Sequence, residues 1–343
     1  MKDVLLFLFL FLLSIIHHAF QYPSEPTPFQ SIDISNDALL GLKEFGSQAI
    51  NQYDYPWIQY PVPFHILFNN KSARYAHFGD CPPFFPTSVH CGEIPSQQSL
   101  VLVTGCSSNH FCATLNCLYS MLLFVPNASV VFVDYGLSTK ELLTLSQHFI
   151  RLSPRFNLFY RIFNFASFPA WMHISTPTMG GYAWKVISYT DITMEHNGEV
   201  GWIDGGCRVV DDLHGELEWM RRDGLFSVYS SGTIGDWIDE NSLSFLLKSG
   251  IVKSVNRSAE MCSGGYVFLD AGNRTRIGPI LDGLVKCAYT KRCMDPVGTT
   301  RKNFRQDQSI LTLLIHDASI PRSCNSHFHV NTLFHQDSVA HCS

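Results

Sequence analysis

A chain of 343 residues with 46% hydrophobic and only 15% charged side chains is long enough to bury a sizeable core and too apolar to be disordered. Its net charge of −5 and its lack of a Lys/Arg cluster exclude a nucleic-acid groove, which needs concentrated positive charge to release counterions. Its 11 cysteines suit an oxidising compartment, and the odd number leaves at least one thiol free or intermolecular.

Residues 1–20 begin with Lys2 and Asp3 and continue as an apolar run, Val4 to Ile16, broken only by Ser14. As a helix this run spans about 20 Å, short of the roughly 30 Å hydrocarbon core. A signal-peptide h-region fits that length, and no clear A-x-A cleavage site follows, so a type II signal-anchor stays open beside a cleaved signal. A buried N-terminal helix is the bland alternative. Either form of signal directs the chain into the secretory pathway, secreted if cleaved and membrane-anchored if not. The sequons at Asn70, Asn127, Asn256 and Asn273 agree with that route, each weakly.

Residues 21–97 read as a Pro-rich stem. Ten of the 17 prolines lie there, which excludes long helices and central strands. A short helix is expected at Asn36–Gln52, capped by Ser35 or Asn36, and Cys81 and Cys91 bracket a segment that reads as a stapled loop.

The character changes at Ser99, and residues 98–326 read as one α/β domain. Leu100–Val103 is a buried strand leading into Thr104-Gly105-Cys106-Ser107-Ser108-Asn109, followed by a helix to Phe124. After the turn at Asn127-Ala128-Ser129, a second strand, Val130–Val133, ends on Asp134-Tyr135-Gly136. Ser138 with Glu141 three residues on is a capping box for a helix to Leu152. Strand, helix, strand, helix implies a parallel sheet. Further strands are expected at Leu158–Phe163, Gly198–Ile203 and Gly265–Leu269, with a last helix at Asp307–His316. The aromatic stretch Phe163–Trp171 is read as core, and Cys287 with Cys293 as a small disulfide loop. Residues 327–343 read as a solvated tail, although His327, His329, His335 and His341 keep a metal reading in view.

Several chemistries lack their motifs: G-x-G-x-x-G, Walker A, G-x-S-x-G and H-E-x-x-H are all missing. A hydrolase using Ser107 or Ser108 therefore ranks low. What remains is a set of carboxylates at strand ends or helix starts: Asp134, Asp204, Asp270 and Asp307. Singly each is most simply a cap or turn residue. Together in one α/β domain they are more suggestive, since carboxylates can hold a divalent ion against a diphosphate or act as general base on a hydroxyl. Asp204 stands out, because strand ends are where open α/β sheets bind ligands.

Seven blocks in order carry a resemblance: VLVTGCSSNHF at 101–111, VVFVDYGLS at 130–138, GYAWK at 181–185, WIDGGCR at 202–208, CSGGYVFL at 262–269, KCAYTKRCMDPVG at 286–298 and FRQDQSILTLLI at 304–315. From about Val101 to Ile315 the chain resembles a nematode-expanded family of Golgi glycosyltransferase-like proteins with the layout of GT-A nucleotide-sugar transferases. The resemblance implies a GT-A-like, Rossmann-like, mostly parallel sheet flanked by helices, in the Golgi or ER lumen. It implies a nucleotide-sugar donor and a glycan or protein acceptor. It makes Thr104, Ser107, Ser108, Asn109 and Asp134 nucleotide-side candidates and Lys185 a point charge for phosphate. Asp204 becomes the metal or diphosphate carboxylate, Asp307 an acceptor-side or sugar-contacting acid, and Ser263, Gly264 and Gly265 the lining of the donor sugar. GT-A enzymes usually carry Asp-x-Asp for Mn2+ or Mg2+, whereas Gly206 stands here where the second carboxylate is expected. Arg208 is open between a source of charge compensation and a structural ion pair. A non-catalytic carbohydrate- or glycoprotein-binding protein on the same fold is the second reading. Tyr182 and Trp184 are open between core and sugar platform.

Overall fold

The computed structural model of the protein describes residues 78–79, 82–91, 94, 100–320, 323–324 and 330–336, all of them within the unit Ile50–Ser343. The apolar run Val4–Ile16, the expected helix Asn36–Gln52, Asn70 and Cys81 lie outside the described residues, as does most of the tail.

In chain order the elements are β1 (Phe78–Gly79), β2 (Leu100–Cys106), α1 (Phe111–Phe124), β3 (Ser129–Asp134), α2 (Thr139–Leu152), β4 (Leu158–Phe163) and α3 (Ala183–His196). Then come β5 (Glu199–Ile203), β6 (Arg208–Val209), α4 (His214–Asp223), β7 (Leu225–Thr233), α5 (Ile234–Trp237) and α6 (Glu240–Lys248). The chain continues through β8 (Glu260–Asp270), α7 (Arg274–Ala288), α8 (Lys291–Met294), α9 (Gln306–Asp317) and β9 (Thr332–Leu333).

The main sheet has the order β1-β4-β3-β2-β5-β8-β7. β2 pairs in parallel with β3 and β5, and β3 with β4, while β8 runs antiparallel to both β5 and β7. Strands β2, β3, β4, β5 and β7 thus point one way, and the sheet is mostly parallel, as expected. Its central strands are near-continuous apolar runs because both faces are covered. Val101, Val103, Val131 and Val133 pack on one face with side chains of α3, α7 and α9. Leu100, Leu102, Val130 and Phe132 pack on the other with side chains of α1, α2 and α4. The alternation at every second residue is the strand period, which lets one short run seal two interfaces.

Local signals hold where they are strong. Ser138 and Glu141 form the capping box of α2, and Cys287 and Cys293 form a disulfide, as do Cys262 and Cys324. Phe163, Phe168 and Trp171 are buried. Parts of the spans read as stem and tail pack on the domain: Phe85 meets Tyr160 edge-on at 4.4 Å, and Phe334 meets Tyr266 at 5.5 Å. β8 begins five residues before the expected strand, at Glu260 rather than Gly265. Among the described residues no helix is long and apolar enough to cross a membrane.

Candidate functional site

The strand order reverses beside β2. From β2 the chain steps outward through β3 to β4, then returns to place β5 on the opposite side. In open α/β sheets the crevice at such a reversal, beyond the carboxyl ends of the strands, is where ligands bind. Two segments meet there: the turn after β2, Ser107 to His110, and the residues after β5, starting with Asp204.

Asp204 is fixed by its backbone, whose N–H donates to the Gly265 carbonyl at 2.8 Å. Its Oδ1 accepts the Trp202 indole N–H at 2.6 Å and lies 3.6 Å from Lys185 Nζ. α3 supplies Lys185, and the first turn of α9 supplies Asp307, whose Oδ2 is 2.7 Å from the same ammonium. A carboxylate in a first helical turn is also favoured by the helix dipole. The side chains of Lys185 and Asp307 are 7% and 8% exposed against 43% for Asp204, so Asp204 is the member of the trio open to solvent.

Burial alone would pull the Lys185 ammonium down, but Asp204 and Asp307 outweigh it, and its pKa is raised above the usual lysine value. Burial pushes the Asp307 carboxyl above the usual carboxylate range, with Lys185 acting against that shift. Lys185 is therefore a cation held by two carboxylates.

Two backbone features shape this cluster. Met179, Gly180, Gly181 and Tyr182 all have positive φ (52°, 61°, 59° and 60°), a left-handed turn that delivers the chain into α3. Glycine is needed at its centre: a Cβ on Gly181 would lie 2.5 Å from the Met294 carbonyl oxygen, and one on Gly180 would strike that of Met172. The turn sets the Tyr182 ring 5.2 Å from Lys185 Nζ and 5.3 Å from Arg301 Cζ, and Arg301 donates to the Tyr182 hydroxyl. The second feature is the glycine pair of β8. A Cβ on Gly264 would lie 2.8 Å from Asp307 Oδ2, and one on Gly265 would collide with Asp204 Oδ2. The pair leaves the space that both carboxylates occupy.

Lys185, Asp204, Asp307, Gly264 and Gly265 are thus brought together, with Ser263 adjoining: its Oγ accepts the Gly265 N–H at 3.2 Å. The other candidates lie toward β2 and β3. Thr104 is fully buried within β2. The Ser107 hydroxyl donates to Asn109 Oδ1 at 2.6 Å, and that of Ser108 to Glu141 Oε2 at 2.5 Å, so both are bonded within the loop and to α2. Asp134 Oδ1 accepts the N–H groups of Gly136 and Leu137, each at 2.7 Å, and Oδ2 accepts the Tyr160 hydroxyl at 2.7 Å. Beneath the loop lie two buried thiols, Cys106 and Cys117, with Cys117 Sγ 3.7 Å from the Asp204 carbonyl. Of the sequons, Asn127 and Asn256 are exposed and Asn273 is half-buried. Sequence reasoning missed Trp202 and Arg301. Trp202 lies within WIDGGCR, and Arg301 within the basic stretch leading to Asp307.

The residues present do not fit Mn2+ or Mg2+. Such ions need several hard oxygen ligands around one point. Asp204 faces an ammonium, Asp307 is bonded to the same ammonium, and Gly206 offers no side chain. Among the described residues no three His, Cys, Asp or Glu side chains are grouped to hold a metal ion.

Fold and site together define an open-sheet α/β protein with a charged cluster at its topological switch point. No family model matches the chain, and neither does any curated protein. Among solved structures it is similar to the WbbM bifunctional glycosyltransferase, with TM-score 0.44 and 13% identity over 68% of this chain and 40% of that one. It is similar to the galactosyltransferase LgtC in complex with donor and acceptor sugar analogues, with TM-score 0.39 and 17% identity over 62% and 70%. A third is the mannosyltransferase Ktr4p of S. cerevisiae, with TM-score 0.41 and 8% identity over 74% and 81%. The chain thus spans well under half the length of the first of these. At such identities and TM-scores the likenesses assign nothing to the site, whose chemistry rests on its own geometry.

Proposed function

We propose that the protein transfers a sugar from a nucleotide-sugar donor to a hydroxyl of a glycan or protein acceptor in the secretory pathway. One observation carries the reading: Lys185, Asp204, Asp307 and the Gly264–Gly265 pair converge at the end of β5, beside the reversal of strand order. In this reading the turn from Ser107 to Asn109 meets the nucleotide, and Asp134, spent on the Gly136 and Leu137 amides, holds the neighbouring turn in place. Lys185 and Asp204 stand on the diphosphate side, Ser263, Gly264 and Gly265 line the donor sugar, and Asp307 orients sugar or acceptor. Residues 1–20 act as signal or anchor and the Pro-rich residues ahead of β1 as a stem, in a Golgi or ER setting with the exposed sequons glycosylated.

The test is thermal stability of the folded chain against UDP and GDP, followed by a screen of nucleotide-sugar donors. A ligand that binds only the folded state at about 100 times its Kd adds roughly 2.7 kcal/mol and a readable rise in Tm. No rise with any nucleoside diphosphate, with or without Mn2+, would sink the transferase reading. A second reading has its own support: both carboxylates are engaged by Lys185, which leaves no unpaired base in the trio and suits a glycan-binding protein without turnover. Glycan binding without donor hydrolysis or transfer would select it.

A further inference from the structure

We infer that this site handles a diphosphate without a divalent cation at Asp204, because the Lys185 ammonium already stands where such an ion would have to be held. The inference deepens the transferase reading and rests on it.

First, the ammonium lies 2.7 Å from Asp307 Oδ2 and 3.6 Å from Asp204 Oδ1, so one oxygen of each carboxylate faces a positive charge instead of an ion. Second, the Asp204 oxygen facing Lys185 also accepts the Trp202 indole N–H at 2.6 Å, which further commits it. Third, the adjoining positions cannot complete a ligand set: Gly205 and Gly206 follow Asp204, and a Cβ on Gly205 would collide with Thr114 Oγ1. A lysine in this place offers one permanent charge and three donors. Diphosphate oxygens reaching the half-exposed Asp204 would meet that charge without recruiting an ion. Arg301, 5.3 Å from the Tyr182 ring that Lys185 also approaches, adds a second cation near the cluster.

Electron paramagnetic resonance of Mn2+ titrated into the folded full chain reads occupancy directly. Wild type alone is expected to leave the free-ion signal unchanged, and with UDP or GDP, which chelate Mn2+ themselves, the signal should equal that of the same nucleotide and Mn2+ without protein. The Kd for whichever nucleotide binds should agree within about twofold between EDTA and Mn2+. Lys185→Met should weaken diphosphate binding by about tenfold or more while leaving the free nucleoside unaffected, since only the phosphates meet the ammonium. Lys185→Arg, which keeps the charge in a folded chain, should retain most of it. One-to-one Mn2+ binding to wild type that is lost in Asp204→Asn overturns the inference, as does nucleotide binding seen only with Mn2+. If Mn2+ does not bind and neither nucleotide binds in any condition, the transferase reading falls and the diphosphate role of Lys185 falls with it. Mn2+ binding that depends on Asp204, with no nucleotide bound, overturns the metal-free reading alone.

Discussion

Asp307→Asn is the most informative single change, because it removes one carboxylate from an ammonium that is 7% exposed. Breaking a buried pair by deleting one partner costs about 3–5 kcal/mol when the remaining charge is stranded. Lys185 is not fully stranded, since Asp204 stays 3.6 Å away. At an effective dielectric near 20, attraction at that distance is about three quarters of that at the Asp307 separation, reduced again by the exposure of Asp204. Relief of the buried Asp307 charge offsets a further part. The expected loss is about 2–3 kcal/mol, or roughly 5–10 °C in Tm for a domain of this size. Asp204→Asn, at the more exposed end, should cost about 1 kcal/mol or less. Urea unfolding with the disulfides kept oxidised measures both. Combining Asp307→Asn with Lys185→Met should give a coupling energy above about 1.5 kcal/mol. Additivity within about 0.5 kcal/mol, or equal losses from Asp204→Asn and Asp307→Asn, would refute the account of the trio.

Gly265→Ala places a Cβ on Asp204 Oδ2 and should push that carboxylate out of position, costing about 1–3 kcal/mol and most nucleotide binding; calorimetry checks both. Gly181→Ala combines φ +59° with a 2.5 Å approach to the Met294 carbonyl and should lower stability by about 1–3 kcal/mol. Because this turn leads into α3, nucleotide Kd should worsen together with Tm. Glu141 governs an acid effect. Burial pushes its carboxyl up, but hydrogen bonds from Ser108 and Ser138, with Lys140, outweigh that and hold it below its ordinary 4.5. A depressed carboxyl stabilises the fold above its unfolded pKa and loses that contribution as pH falls through the folded value. Wild type should therefore lose loop protection in hydrogen exchange below about pH 4, whereas Glu141→Gln shows little such step.

The sheet was legible because its strands are short, apolar and bounded by turn residues, and because Ser138 with Glu141 announces α2 without tertiary help. α7 was not legible: it carries Pro279 and two glycines, which read as breakers, and it is held as a helix by Ile277, Ile280, Leu281 and Leu284 in the core. β7 was missed because its apolar start turns polar after Val228, where its pairing with β8 goes out of register. At the site, Asp204 was legible from its place after an apolar strand. The pairing of Lys185 with Asp307 was not, because 122 residues of chain separate them and only the packing of α3 and α9 joins them. Nor did the sequence show that Asp134 is spent on the Gly136 and Leu137 amides, since a carboxylate looks the same whether it holds a loop or a ligand.

The two thiols beneath the loop have a kinetic use. Cys106 and Cys117 are 4% and 0% exposed, and burial pushes the Cys117 thiol up to about 12, so neither reacts while the sheet and α1 stay together. Alkylation must wait for the structure to part at that place, and its rate then counts openings rather than thiol chemistry. Slower labelling in the presence of a ligand would report that the switch-point crevice had closed over it, a footprint written by the protein's own side chains.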